Sequence, residues 1–291
     1  MGEQVLLLGN GINDLTNNYT WNNLINALAD YLDLPRPKSE NPLSFPLLYE
    51  KLYLANLKKK KIPENKLKSF IVEQIKNLKP NEAHNRINDL GFSEIMTTNY
   101  DYVIENSLGF DKFNNAGVVK ESTYSVFRCL KNEKTKVWHL HGEINSPNTI
   151  LLGYEQYSGQ LQHIRNYAVS DTKKEYKSFQ SPSLVSQIKR GEVKNNSWLD
   201  SFLTRDIHIV GLSLGYAETD LWWLITFRAR KKLEKKLKIT NTIIYYYPQE
   251  YEEEIAEKLE MFIANDIQPQ PIGRKHDLSY YNRVFDHIEN K

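Results

Sequence analysis

Five short apolar runs, separated by stretches with helical spacing, constrain what this chain can fold into. Gln4 to Leu8 runs into Gly9-Asn10-Gly11, and Glu94 to Thr98 runs into Asn99. Thr135 to His141 ends at Gly142, Asp206 to Leu212 continues into Ser213-Leu214-Gly215, and Thr242 to Tyr247 stops at Pro248. Apolar runs of this length bounded by turn residues read as buried strands. Between them, Thr20 can cap a helix whose apolar face is Trp21, Leu24, Ile25, Leu28 and Leu32. Leu67, Phe70, Ile71, Ile75 and Leu78 form a second helical face, stopped by Pro80. Ala83, Ile87 and Leu90 form a third, closed by Gly91. Glu218 to Leu237 predicts a long helix, acidic at its start (Glu218, Asp220) and crowded with Arg and Lys later, as the helix dipole favours. Strands alternating with helices predict an α/β fold with a mostly parallel sheet covered on both faces.

The chain is expected to be a single domain over 1–291, with a helical insertion at about 14–92 and a polar insertion or lid at about 151–200. Pro35, Pro37, Pro42 and Pro46 mark an irregular stretch. Lys58 to Lys61 is read as a solvated charge run.

Composition narrows the function classes. The 291 residues carry a net charge of +2, which argues neither for nor against nucleic acid; a specialised DNA binder is usually more basic or carries a clear basic face, and no direct nucleic-acid binding is expected. No apolar run is long enough to cross a membrane, and Val5 to Leu8 is too short for a secretory signal. The expected location is therefore cytoplasmic. The single cysteine, Cys129, excludes an internal disulfide and a cysteine-based zinc site.

In open α/β sheets, ligands bind off the carboxyl ends of the strands. That rule gathers the Gly9 turn, Asn99, His141 and the Gly211 turn toward one crevice. Gly9-Asn10-Gly11 can let a backbone approach a pyrophosphate, or can be an ordinary strand–helix turn. Asp14 can cap a helix or contact a ribose or carboxamide. Asn99 can offer both a donor and an acceptor, or can end its strand in an Asx-turn with Asp101. His139 and His141 would share one side of a strand, and Glu143 extends the alternation, so a metal reading competes with a general base at His141. His139 reads as a supporting residue. The Ser213 hydroxyl can meet a phosphate or ribose.

Taken in order, Gly9-Asn10-Gly11-Ile12-Asn13, Thr97-Thr98-Asn99-Tyr100-Asp101, His141-Gly142 and Gly211-Leu212-Ser213-Leu214 resemble the motifs of the sirtuin superfamily. The Thr-Thr-Asn-Tyr-Asp form, with Trp21 soon after the glycine turn, is similar to the bacterial sirtuin-like branch, which includes antiphage effectors that degrade NAD. The resemblance implies a Rossmann-like NAD-binding fold and cleavage of the nicotinamide–ribose bond. It implies Asn99, His141 and Asp101 as catalytic residues. It further implies NAD contacts from Gly9, Asn10, Gly11, Asn13, Asp14, Thr98, Gly211, Ser213 and Leu214. NAD would be a substrate, with no metal. A protein deacylase or ADP-ribosyl transferase is one alternative, and the absence of the four-cysteine zinc module of the deacetylating relatives disfavours the deacylase. A non-catalytic NAD or ADP-ribose sensor is the other alternative. An NAD-depleting enzyme needs restraint, so a homo-oligomer or a regulatory partner protein is expected. The surfaces expected to carry it are the basic half of the 218–237 helix and the region around Tyr154, Tyr157 and Tyr167.

Overall fold

A computed structural model describes residues 4–17, 20–38, 43–173 and 176–291. The expected Pro42 break lies outside the described residues. The chain runs β1 (Gln4–Leu8), α1 (Gly11–Asn17), α2 (Trp21–Leu32), α3 (Phe45–Lys59), α4 (Glu64–Ile75), α5 (Glu82–Leu90), β2 (Glu94–Thr97) and α6 (Val103–Ser107). It continues through β3 (Leu130–Lys131), β4 (Lys136–His139), α7 (Tyr154–Val169), α8 (Leu184–Arg190), α9 (Trp198–Thr204) and β5 (Asp206–Val210). It closes with α10 (Thr219–Leu233), β6 (Ile243–Tyr247), α11 (Ala256–Ala264), β7 (Gln268–Pro271) and α12 (Leu278–Glu289).

The strands form one sheet in the order β3-β4-β2-β1-β5-β6-β7. Every pairing is parallel except β3 with β4. This is the α/β architecture the alternation predicts, consistent with a Rossmann-like fold. Alternate strand residues serve opposite faces, as a two-residue period requires. Val5, Leu7, Ile207, Ile209 and Ile243 pack with side chains of α7, α9 and α10. Leu6, Leu8, Ile95, Val210 and Ile244 pack with those of α5 and α12. Helices α2, α3 and α4 build a separate core of their own, joined by Tyr100, Ile150 and Leu152.

The helix starts show why these sequences fold locally as they do. The Thr20 side chain accepts from the Asn23 N–H and caps α2. Asn81 and His84 form a reciprocal capping box on α5, and Gly91 ends that helix in the left-handed region. Pro46 falls in the first turn of α3, where a missing N–H costs nothing, so the proline-marked stretch contains a helix start. The polar segment after residue 150 is three helices, α7 to α9, whose Ile164, Tyr167, Leu184, Trp198 and Phe202 join the core. Among the described residues, no helix is long and apolar enough to cross a membrane.

Candidate active site

The register sets the site. Leu8 pairs with Thr97 and with Val210, and Thr97 pairs with His139. Four parallel strands therefore end level with one another, and the four predicted motifs leave from one edge. The chain goes to β2 and β4 on one side of β1, then crosses to β5, β6 and β7 on the other. The switch point lies between β1 and β5, where a crevice for ligand opens in such sheets. There the Gly9 N–H donates to the Val210 carbonyl and the Gly11 N–H to the Gly211 carbonyl. A Cβ on Gly9 would stand 2.4 Å from both the Gly211 oxygen and the Leu212 Cα, so only glycine allows this approach.

A cleft of about 410 Å³ occupies that point. Of the predicted residues, Asn10, Gly11, Asp14, Thr98, Gly211 and Ser213 line it. Asn99 and Asp101 line an adjoining cavity of about 20 Å³, which shares Asn10, Thr20 and Trp21 with the cleft. Trp21 stands edge-on to Tyr100 at 5.3 Å, so the start of α2 walls both spaces.

Each polar group has a definite setting. The Asn99 Nδ2 donates to the Gly9 carbonyl at 3.3 Å, while its Oδ1 is buried without a hydrogen-bond partner. Asn13 donates to the Asn10 Oδ1 and to the Asp101 Oδ2, and its own Oδ1 is buried and unpartnered. Asp101 also accepts from the Val103 N–H, and burial raises its pKa. Asp14, half-buried at the cleft, is pushed up to about 6 by loss of water. Leu214 does not reach the cleft with its side chain, which is buried in the core; its backbone is left-handed, with φ of 47°.

The two histidines are separated by their backbone. The strand ends at His139, so His141 lies in a turn and the expected strand to residue 141 is shorter. His139 Nδ1 donates to the Asn99 carbonyl at 2.7 Å, and Nε2 meets Glu105 at 2.7 Å. His141 Nε2 meets Asp220 Oδ2 at 3.0 Å, with Tyr157 edge-on to the ring at 5.2 Å. Burial works against charging either ring, yet the carboxylates beside them raise both pKa values. Gly142, at φ of 95°, turns the chain, and Glu143 pairs with Arg128 instead of continuing the alternation. Among the described residues, no three His, Cys, Asp or Glu side chains gather as a metal cluster.

Several residues of the site escaped the sequence reading. Glu105 and Asp220 hold the two histidines, and Glu218 lines the cleft. Asp220 and Glu218 read as ordinary dipole-complementing acids at a helix start. Their signal was position, since they follow the Gly211 turn at once. Tyr245, Tyr251, Lys258, His276 and Tyr280 also wall the cleft and carried no motif.

No curated protein matches the chain. A family model described as a SIR2-like domain matches residues 93–258, from the residue before β2 into α11. That span covers more than half of the chain, includes Asn99, Asp101, His141 and the Gly211 turn, and leaves Gly9 to Gly11 and the His276–Tyr280 wall to the flanking residues. The chain belongs to the SIR2-like domain family.

Proposed function

We propose that this protein hydrolyses NAD at the nicotinamide–ribose bond, giving nicotinamide and ADP-ribose. SIR2-like domains are often NAD-dependent enzymes, and the observation that carries the reading further is the state of Asn99. Its amide nitrogen is pinned to the Gly9 carbonyl, and its buried oxygen has no partner. A buried acceptor left empty costs about 1–3 kcal/mol. An acceptor fixed beside a cleft is what holds a water or a carboxamide in one orientation. A structural Asx-turn would have used that oxygen locally.

The chemistry asks little else. The nicotinamide ring of NAD is positively charged and leaves neutral, so no acid has to protonate it. The two-carboxylate arrangement of ordinary glycosidases is not needed. Asn99 aims the water, and His141 hydrogen-bonds the ribose and accepts a proton. Asp101 acts on its neighbours, because both of its oxygens are taken by Asn13 and Val103. The Gly9–Gly11 turn, Asn10, Asn13, Asp14, Thr98, Gly211 and Ser213 hold the dinucleotide, and Leu214 serves through its backbone.

The same reading assigns the protein to antiphage defence as an NAD-depleting effector, restrained by self-assembly or by a partner protein. Of the expected contact surfaces, Tyr157 and Tyr167 are buried and cannot serve, and Arg228 is buried too. Arg230, Lys235 and Lys236 remain exposed for that role.

The test is nicotinamide release from NAD by purified protein, alone and with its genomic neighbours. Asn99→Ala and His141→Ala should each lower the rate by about 10²–10⁴-fold at a temperature where circular dichroism shows the variant still folded. Wild-type rates in both variants would overturn the assignment.

A further inference from the structure

The start of α10 brings one carboxylate, Asp220, to His141 and another, Glu218, to the cleft. Asp220 Oδ2 bonds the Nε2 of the ring, and both residues are at most 2 % exposed. Asp220 Oδ1 and Glu218 Oε2 are each buried without a hydrogen-bond partner. Glu218 also lines the cleft, beside Trp21, Thr98 and Leu212. Helix dipoles favour acids at such a start, but they act equally well on exposed ones. Unpartnered buried carboxylate oxygens need another reason.

We propose that His141, Asp220 and Glu218 form one proton-holding unit, in which Asp220 positions the ring and Glu218 exchanges the proton with the cleft. This rests on the reading that NAD is hydrolysed here, and it names the path the proton takes. Water adds to the ribose C1′ as the C1′–N bond breaks, and the electron pair leaves with neutral nicotinamide. The attacking water must then lose one proton. His141 takes it, Glu218 receives it, and the cleft returns it to solvent. No further reactant is required.

The surroundings raise the proton affinity of both His141 and Glu218. Burial pushes Glu218 up to about 7, with His141 drawing it back, Asp220 pushing it further, and the Gly215 N–H and Lys258 of α11 also drawing it back. Burial opposes charge on His141, and Asp220 and then Glu218 raise it above its ordinary value. Tyr100 and Tyr157 face both acids and Tyr245 faces Glu218, and burial keeps all three hydroxyls protonated. Both groups are raised and each acts on the other electrostatically, which lets a proton held by one be passed to the other.

The experiment has two arms on the whole chain. The first follows nicotinamide release from pH 5.5 to 9 in the wild type, Glu218→Gln and Asp220→Glu. The wild-type rate should fall on the acid side of about pH 7. Glu218→Gln should lose that limb and about 100-fold in kcat, with KM little changed. Asp220→Glu should keep the limb. The second arm needs no activity: the His141 ring is titrated by NMR in the wild type, Asp220→Asn and Glu218→Gln. Asp220→Asn should lower its titration by at least one pH unit, and Glu218→Gln by less. An unchanged His141 titration in both variants, or an intact acid limb in Glu218→Gln, overturns the proposal. If the wild type releases no nicotinamide, the reaction is wrong, and the NMR arm still decides the unit. Should Asp220→Asn not fold, Glu218→Gln at the cleft tests the same coupling.

Discussion

His139 is bonded at both ring nitrogens, and this decides what it does. Its Nδ1 can only donate to the Asn99 carbonyl, so Nε2 must either accept or carry a second proton toward Glu105. Burial opposes charge on the ring, and Glu105 raises its pKa against that cost. His139 and Glu105 are thus a buried pair, at 2 % and 0 % exposure, that anchors the backbone of Asn99. Removing one member of such a pair strands the other charge and costs about 3–5 kcal/mol. His139→Ala should therefore lower the urea midpoint strongly. The double variant His139→Ala with Glu105→Gln should recover part of the loss, because no charge is left unpaired. A small loss in the single variant, with no recovery in the double, would mean that the pair is not ionised. This role was half legible. The spacing marked His139 as supporting, but Glu105 lies 34 residues away on α6, and no local pattern announces a partner at that range.

At the scale of elements, the strands that bury both faces were readable and the edges were not. β1, β2, β5 and β6 fall where their apolar runs are, because a strand covered on both sides has no polar alternation to confuse it. β7 is Gln268-Pro269-Gln270-Pro271, which carries two prolines and no apolar run. An edge strand tolerates this, since one side of it needs no ladder donors. The segment after residue 150 hid its helices for a different reason. Gln156 and Gln160 are buried and serve backbone groups of Leu152, Gly153, Ser125 and Leu140, so residues on the inner face look polar. The turn between β1 and α1 offers a test at this scale. Gly9→Ala forces the β1 and β5 turns apart, since its new methyl would meet Gly211 and Leu212 main chain at 2.4 Å. Overpacking of this kind costs about 1–3 kcal/mol. The Asn99 amide would also lose its fixed distance to the Gly9 carbonyl, so nicotinamide release should fall along with stability. An alanine variant with wild-type urea midpoint and rate would show that the two turns can separate freely.

Across the whole molecule, the cleft takes residues from Asn10 to Tyr280, so it exists only when the entire sheet is assembled. Its dependence on pH is then a property of the fold as well as of the site. Two buried histidines pull one way. His84, at the start of α5, and His208, on β5 against the Tyr246 hydroxyl, are both lowered to about 4 by burial. Their unfolded counterparts titrate near 6.5. Below that value the unfolded chain binds protons that the folded chain refuses, so their contribution is complete above pH 6.5 and is lost as pH falls toward 4. Each spans about 2.5 pH units, or about 3 kcal/mol. Glu121 and Glu218, raised by burial to about 7, pull the other way: their cost is full above pH 7 and is relieved as pH falls. The wild-type curve is a difference of these terms, and a paired comparison isolates one of them. His208→Asn removes the titration and can keep a hydrogen bond to Tyr246. Measured against the wild type at each pH, its urea stability should gain about 3 kcal/mol between pH 6.5 and 4. The gain should begin below pH 6.5 and not above. An offset that stays constant from pH 7 to 4 would mean that His208 takes up its proton in the folded chain as readily as in the unfolded one.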